Sequence, residues 1–110
     1  MTPNRLSRKV AVAKVAGSDP NARIDGILSL ALYDPDWKFV QDLCLELLHD
    51  SDDDIVATAV LGLGHLGRIH MQLELDRVVP ELDGLKSNDA LAGRVSDTLD
   101  DIDIFVRRQM

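Results

Sequence analysis

A glycine pattern is the first feature of the sequence that could support chemistry. Gly62, Gly64 and Gly67 form a G-x-G-x-x-G motif directly behind an apolar run that begins at Ile55. In dinucleotide-binding domains such glycines follow a β-strand, and an acidic residue lies about twenty residues further on, as Asp83 does here. Only 43 residues follow Gly67, however, and no other segment is rich in strand-forming residues. We therefore interpret the glycines as positions of close helix packing.

Two further patterns are typical of metal sites but are incomplete. The segment Asp50–Asp54 resembles the start of a calcium loop, which requires glycine at its sixth position and a bidentate glutamate at its twelfth. Those positions are Ile55 and Leu61. An E-x-x-H pattern, Glu46 to His49, occurs once, whereas di-metal helical bundles need two copies and two more glutamates. The sequence predicts no metal ion and no cofactor.

Nucleophilic catalysis is also unsupported. The single cysteine, Cys44, lies within an apolar helical pattern and has the acidic neighbours Asp42, Glu46 and Asp50. Acidic neighbours disfavour the thiolate, so we interpret Cys44 as a small buried apolar residue. The serines lie mostly at turns and outside any nucleophile-elbow pattern. We predict that the chain is not an enzyme and has no catalytic residues.

Composition narrows the class of partner. The 110 residues are 45% apolar and 4% aromatic, with a formal net charge of −7. This charge disfavours nucleic acid, whose phosphates require lysine and arginine. It suits a basic protein partner, but it also serves solubility, and charge alone does not decide between the two. No apolar run is long enough to cross a bilayer. One cysteine excludes an internal disulfide and fits a reducing compartment, so we expect a cytoplasmic protein.

Turn and cap residues divide the chain into helices. Asp-Pro and Asp-rich segments recur at short intervals, and an aspartate before proline is a favourable helix start. Between them, apolar residues follow the three-to-four-residue spacing of a helix with one buried face. We predict a single all-α domain over residues 1–110, with a basic N-terminal capping helix within residues 1–18. The predicted helices cover about residues 5–16, 20–33, 36–49, 53–70, 75–86 and 89–107.

A sixteen-residue repeat relates two of these helices. Asp34-Pro35-Asp36 and Asp50-Ser51-Asp52 each precede a helix, and apolar residues recur at the same offsets behind them. Equivalent helices that begin from equivalent turns indicate a solenoid. The matching apolar pairs are Phe39 with Ile55, Val40 with Val56, Leu43 with Ala59, and Leu47 with Leu63.

The central segments resemble a known repeat family. Leu47–Val56 followed by Ala59–Gly67 is similar to a HEAT-like repeat of the phycobilisome-lyase type, in which a leucine-rich helix ends in an Asp-Pro-Asp turn and the next helix closes with Leu-Gly-x-Leu-Gly. This sequence departs by having Ser51 where the family has proline and Val56 where it has arginine. It also has a long link, Arg68 to Glu74. The resemblance implies an α-solenoid of about three helical pairs.

The same resemblance implies a binding surface. In HEAT-like stacks the second helices of the pairs line a concave face, which by position corresponds to helices 36–49 and 75–86. We predict a protein-binding module, and more specifically a bacterial immunity protein that binds a basic toxin or nuclease. The alternatives are a HEAT-like lyase or assembly chaperone and a scaffold subunit; the oligomeric state is left open. The predicted partner-binding residues are Trp37, Lys38, Gln41, Asp42, Glu46, His49, Glu81 and Asp83.

Overall fold

The fold is built from helices alone in the part of the chain that the structure describes. The computed structural model describes residues 4–109, so residues 1–3 and 110 of the predicted domain lie outside it. The prediction of an all-α fold with six helices is confirmed. The helices are α1 (Arg8–Ala16), α2 (Pro20–Tyr33), α3 (Trp37–Leu47), α4 (Asp53–His70), α5 (Leu75–Gly84) and α6 (Ala92–Phe105), followed by a 3₁₀ turn at Arg107–Gln109.

Aspartate side chains begin three of the helices, as the sequence predicts. Asp19, Asp36 and Asp52 each accept a hydrogen bond from a backbone N–H in the first turn of α2, α3 and α4. These bonds satisfy N–H groups that have no partner within the helix. Helix α1 begins at Arg8 and not at residue 5, because Ser7 caps it by accepting a bond from the N–H of Val10.

The helices form two rows. Helices α2, α4 and α6 lie side by side, with α4 in the middle, and α1, α3 and α5 form a second row against them. Most of the largest fully buried side chains, including Ile27, Leu63, Leu66 and Ile102, lie on α2, α4 and α6, and the others lie on α3 and α5. Helix α4 packs against α2, α3 and α6, which explains why it is apolar on nearly every face. No helix within residues 4–109 is long and apolar enough to span a membrane.

The glycine motif lies inside α4, where it permits close packing. A Cβ atom at Gly62 would be 3.2 Å from the Sγ of Cys44, and one at Gly64 would be 3.2 Å from the Oγ1 of Thr98. A Cβ at Gly67 would be 3.3 Å from the Cγ2 of Val106, just beyond α6. The motif therefore follows no strand and forms no phosphate-binding loop. The interpretation as packing glycines is confirmed.

Two arginines bind the two turns that are related by the sixteen-residue repeat. Arg8 pairs with Asp34 at 2.6 Å, and Arg23 pairs with Asp50 at 2.7 Å. Each aspartate also accepts a bond from the backbone N–H two residues further on. The turns are thus equivalent, but the helices that follow them are not. Helices α3 and α4 lie in different rows and pack against each other. The sixteen-residue repeat therefore covers only a turn and the start of a helix, and the expectation of equivalent helices is wrong.

The predicted long link after α4 is also shorter than expected. Helix α4 continues to His70, and the link consists of residues 71–74. Met71 ends the helix in the left-handed conformation, with φ of 55°. Its N–H donates to the carbonyl of Gly67, which is the bond of a left-handed helix end. The predicted helix end at residue 70 is therefore confirmed, although the residue in the left-handed conformation is not a glycine.

Candidate partner-binding site

Six of the eight predicted binding residues lie on α3 and its C-terminal end, and two lie on α5. The two helices are neighbours in the second row, and side chains from both meet along their length. Lys38, Asp42 and Glu46 follow each other at four-residue intervals on α3 and so share one face. His49, just beyond α3, is 3.2 Å from Glu81 of α5, measured between Nε2 and Oε2. We call the surface shared by these residues the α3–α5 face.

One end of the α3–α5 face is an ionic network of Lys38, Asp42, Glu74 and Arg77. The Nζ of Lys38 is 2.8 Å from Glu74 Oε1, while Arg77 Nη1 is 2.6 Å from the same oxygen and 2.8 Å from Asp42 Oδ1. Hydrogen bonds from Lys38, Gln41 and Arg77 lower the pKa of Glu74 to about 2. Two positive and two negative charges balance, so this end of the face presents no net charge to a partner.

Gln41 lies beneath the ionic network and does not face a partner. Its side chain is fully buried. Its Oε1 accepts a 2.7 Å bond from the backbone N–H of Glu74, and its Nε2 donates a 2.8 Å bond to the carboxylate of the same residue. Helix α5 has no side-chain cap from its own first turn, so Gln41 supplies the polar contact at its start. The prediction of an outward-facing Gln41 is wrong because its amide finds both partners inside the protein.

The remaining predicted residues occupy different surroundings. Trp37 is partly buried and packs against the core, so most of the ring is used by the fold. Asp83 is exposed and pairs with Lys86 at 3.0 Å; it lines a depression between α5 and α6, away from α3. Glu46 is exposed and makes no ion pair within residues 4–109.

The other end of the α3–α5 face is an open groove of about 480 Å³. Its apolar surface comes from Leu48, Pro80 and Leu85, and its acidic groups are Asp76 and Glu81. His49, Arg77 and Gly84 complete the lining. We call this the α3–α5 groove. Unlike the ionic network, it combines apolar surface with carboxylates that are free or weakly paired.

Glu74 and Arg77 are the residues of this face that sequence reasoning missed. Both lie at the start of α5, three positions apart, a spacing at which an acid and a base on a helix can pair. That spacing is the sequence pattern from which a pairing of Glu74 with Arg77 could have been predicted. Their connection to Lys38 and Asp42, more than thirty positions earlier, depends on the packing of α5 beside α3 and has no local sequence pattern.

Cys44 and the Asp50–Asp54 segment, the candidates for chemistry near this face, have structural roles. Cys44 is 1% exposed, and burial raises the pKa of its thiol to about 12. The Asp50–Asp54 segment is the turn and N-terminal cap of α4, with Asp50 bound to Arg23. Among residues 4–109, no group of three or more histidine, cysteine, aspartate or glutamate side chains is placed to hold a metal ion.

Comparison with known proteins gives an informative structural match. No protein-family model and no curated protein matches the chain. Among solved structures, it is similar to a chain in the crystal structure of a CDI complex from Cupriavidus taiwanensis LMG 19424. The two chains are 30% identical with a TM-score of 0.86, and the match covers 96% of this chain and 95% of the other.

Proposed function

This chain belongs to the same family as that component of the Cupriavidus taiwanensis CDI complex, and we propose that it is an immunity protein that binds and inactivates a cognate toxin. The near-complete match over both chains carries this proposal. CDI denotes contact-dependent inhibition, a process that requires a toxic component and, in the producing cell, protection against it. The proposed activity is binding, without catalysis.

The chemistry of the chain supports the inhibitory role over the toxic one. A toxin of the enzymatic kind needs a nucleophile, an acid–base pair or a metal, together with access to its substrate. The one thiol of this chain is buried with a raised pKa. The net charge of −7 suits a protein that covers a basic active site, because opposite fields accelerate encounter and disfavour wrong partners.

The α3–α5 face is the proposed contact surface. Its ionic network is neutral and internally bonded, so a partner gains little by approaching it. The acidic groups that remain are Glu46 on α3, and Asp76 and Glu81 at the groove. The adjoining start of α4 adds the exposed Asp53 and Asp54. These residues give the groove end of the face its negative character, which is where we place the basic partner.

The HEAT-like resemblance forms part of the same proposal, and the two-row arrangement supports it. A cytoplasmic location follows, because the toxin would act inside the cell that needs protection. The alternative of a tetrapyrrole lyase or chaperone requires a reactive thiol, which a buried Cys44 does not offer. The alternative of a scaffold subunit has one supporting feature, the exposed Val10 and Val12 of α1.

The proposal is tested by co-expressing this chain with the protein encoded by the neighbouring gene. We expect the neighbour to arrest growth when produced alone, and growth to recover when this chain is present. The two proteins should co-purify, with an affinity that falls as salt rises, because charge contributes to recognition. An unrelated acidic protein of similar size is the control and should not protect. Absence of both protection and complex, or a toxin that is itself acidic, would contradict the proposal.

A further inference from the structure

We infer that the α3–α5 groove receives an arginine side chain of the protein partner, with Asp76 and Glu81 as the carboxylates that bind it. This inference rests on the proposed function and specifies the chemical group that the site recognises. It follows from the shape of the groove, the state of its charges and the geometry of guanidinium groups.

The groove is open and partly apolar. Leu48, which is 5% exposed, and Leu85 lie beside Pro80 on α5. Gly84 adds no side chain, and a Cβ atom built there would meet nothing within 4 Å. A long aliphatic stem can therefore lie against this surface while its charged end reaches the carboxylates. Arginine and lysine both bury their stems in this way.

The carboxylates of the groove are available, whereas its one cation is not. Asp76 is exposed and makes no ion pair within residues 4–109. Among the same residues, Glu81 approaches only the side chain of His49, which is charged only when it is protonated. The guanidinium of Arg77 is held by Asp42 and Glu74 on the side of the ionic network. An incoming cation would thus meet two acids whose charges no internal cation neutralises.

Arginine fits this arrangement better than lysine. Its planar guanidinium presents five N–H donors in a fixed fork and can bond more than one carboxylate oxygen at once. It is also less strongly hydrated than an ammonium group, so it loses less on entering a partly apolar groove. Phosphate-bearing ligands are disfavoured because both free groups are acids.

The first test uses N-acetyl-arginine amide as a probe for the full chain labelled with ¹⁵N. At constant ionic strength we expect saturable shifts of the backbone amides of Leu48, His49, Glu81 and Leu85. N-acetyl-citrulline amide has the same shape without the charge and should bind at least about tenfold more weakly. Equal binding of the two probes, or shifts spread evenly over the acidic surface, would overturn the inference.

Variants assign the binding to the two carboxylates. The double variant Asp76→Asn with Glu81→Gln should weaken arginine binding at least about tenfold. The matched control is Asp97→Asn with Asp100→Asn, which removes the same charge from exposed positions on α6 and should leave binding within about twofold. If the control loses as much affinity as the groove variant, only the overall charge matters and the groove has no special role.

A second measurement separates this inference from the proposed function. The wild-type chain and both double variants are titrated with the toxin from the neighbouring gene. Strong binding by the wild type with unchanged affinity of the groove variant would refute the groove assignment and leave the immunity role intact. Arginine binding in the groove without any toxin complex would instead refute the immunity role. The expected result is a loss of toxin affinity in the groove variant alone.

Discussion

Replacement of Gln41 by methionine tests the polar contact that holds α5 beside α3. Methionine has about the length and volume of glutamine, so the substitution removes the amide without opening a large cavity. Two hydrogen bonds to Glu74 are lost, one from its backbone N–H and one to its carboxylate, together with a longer 3.2 Å bond to the carboxylate of Asp42. The backbone N–H then has no protein partner, because no other bond to it is present in residues 4–109.

The expected cost is about 2 kcal/mol of unfolding free energy. A buried donor left without a partner costs about 1–3 kcal/mol, and a hydrogen bond to a charged group contributes about 1.5–3 kcal/mol. Glu74 is half-buried, so water can replace part of the loss, and the buried methionine recovers some free energy from its apolar surface. These offsets place the net effect well below the sum of the two terms.

Urea denaturation followed by circular dichroism measures this change. With a slope of about 1–2 kcal/mol/M, the midpoint should fall by about 1–2 M. The matched control is Glu46→Ala, an exposed position on the same helix with no hydrogen bond of its side chain in the described residues; it should change stability by less than about 0.5 kcal/mol. Hydrogen exchange adds a local readout, since the amide of Glu74 should lose protection in Gln41→Met. If that amide stays protected and the variant is as stable as the control, the reasoning is refuted.

Three further predictions concern packing, thiol chemistry and pH. Gly26→Ala should destabilise the protein by about 1–3 kcal/mol, because the new Cβ would lie 2.6 Å from a backbone carbonyl oxygen of α1. The control Gly93→Ala places its Cβ in open space and should stabilise the protein by up to about 1 kcal/mol. Thermal unfolding measures both changes. Cys44 should resist a disulfide reagent in the native protein and react quickly in urea; rapid native labelling would contradict its burial. The lowered pKa of Glu74 contributes stability that is fully present above about pH 4.5 and is lost as pH falls toward about 2. Glu74→Gln should therefore flatten the acid limb of the stability curve, and an unchanged limb would contradict this assignment.

Local sequence patterns predicted the helices well because their ends are determined locally. Asp36 and Asp52 cap the helices that follow them, and the apolar spacing is read over a few turns. The partners of charged residues are set by packing between distant segments. Arg8 and Asp34 are 26 positions apart, and nothing in the local pattern pairs them. Gln41 shows the same limit, since a polar residue beside an apolar stripe is expected at the surface until a buried partner is known.

The sequence predicted that α3 and α5 contribute to one face. It did not predict which side chains of that face are bonded to one another. The HEAT-like resemblance placed α3 and α5 on one face, and side chains of the two helices do meet there. Whether a side chain there is free or already bonded depends on atomic distances. Lys38 and Asp42 are engaged within the ionic network, while Glu46 is not. The face therefore divides into a neutral end and an acidic end that sequence alone does not distinguish.

The small contribution of α5 to the core has a consequence for how this family can diverge. Only Val78 and Leu82 of its ten residues are buried, so most of the helix is free of the packing constraints that govern α2 and α4. Under the proposed function, substitutions at the other positions would change which partner is recognised at little cost in folding. Members of the family would then acquire new partners through this helix, while α2, α4 and α6 preserve their shared architecture.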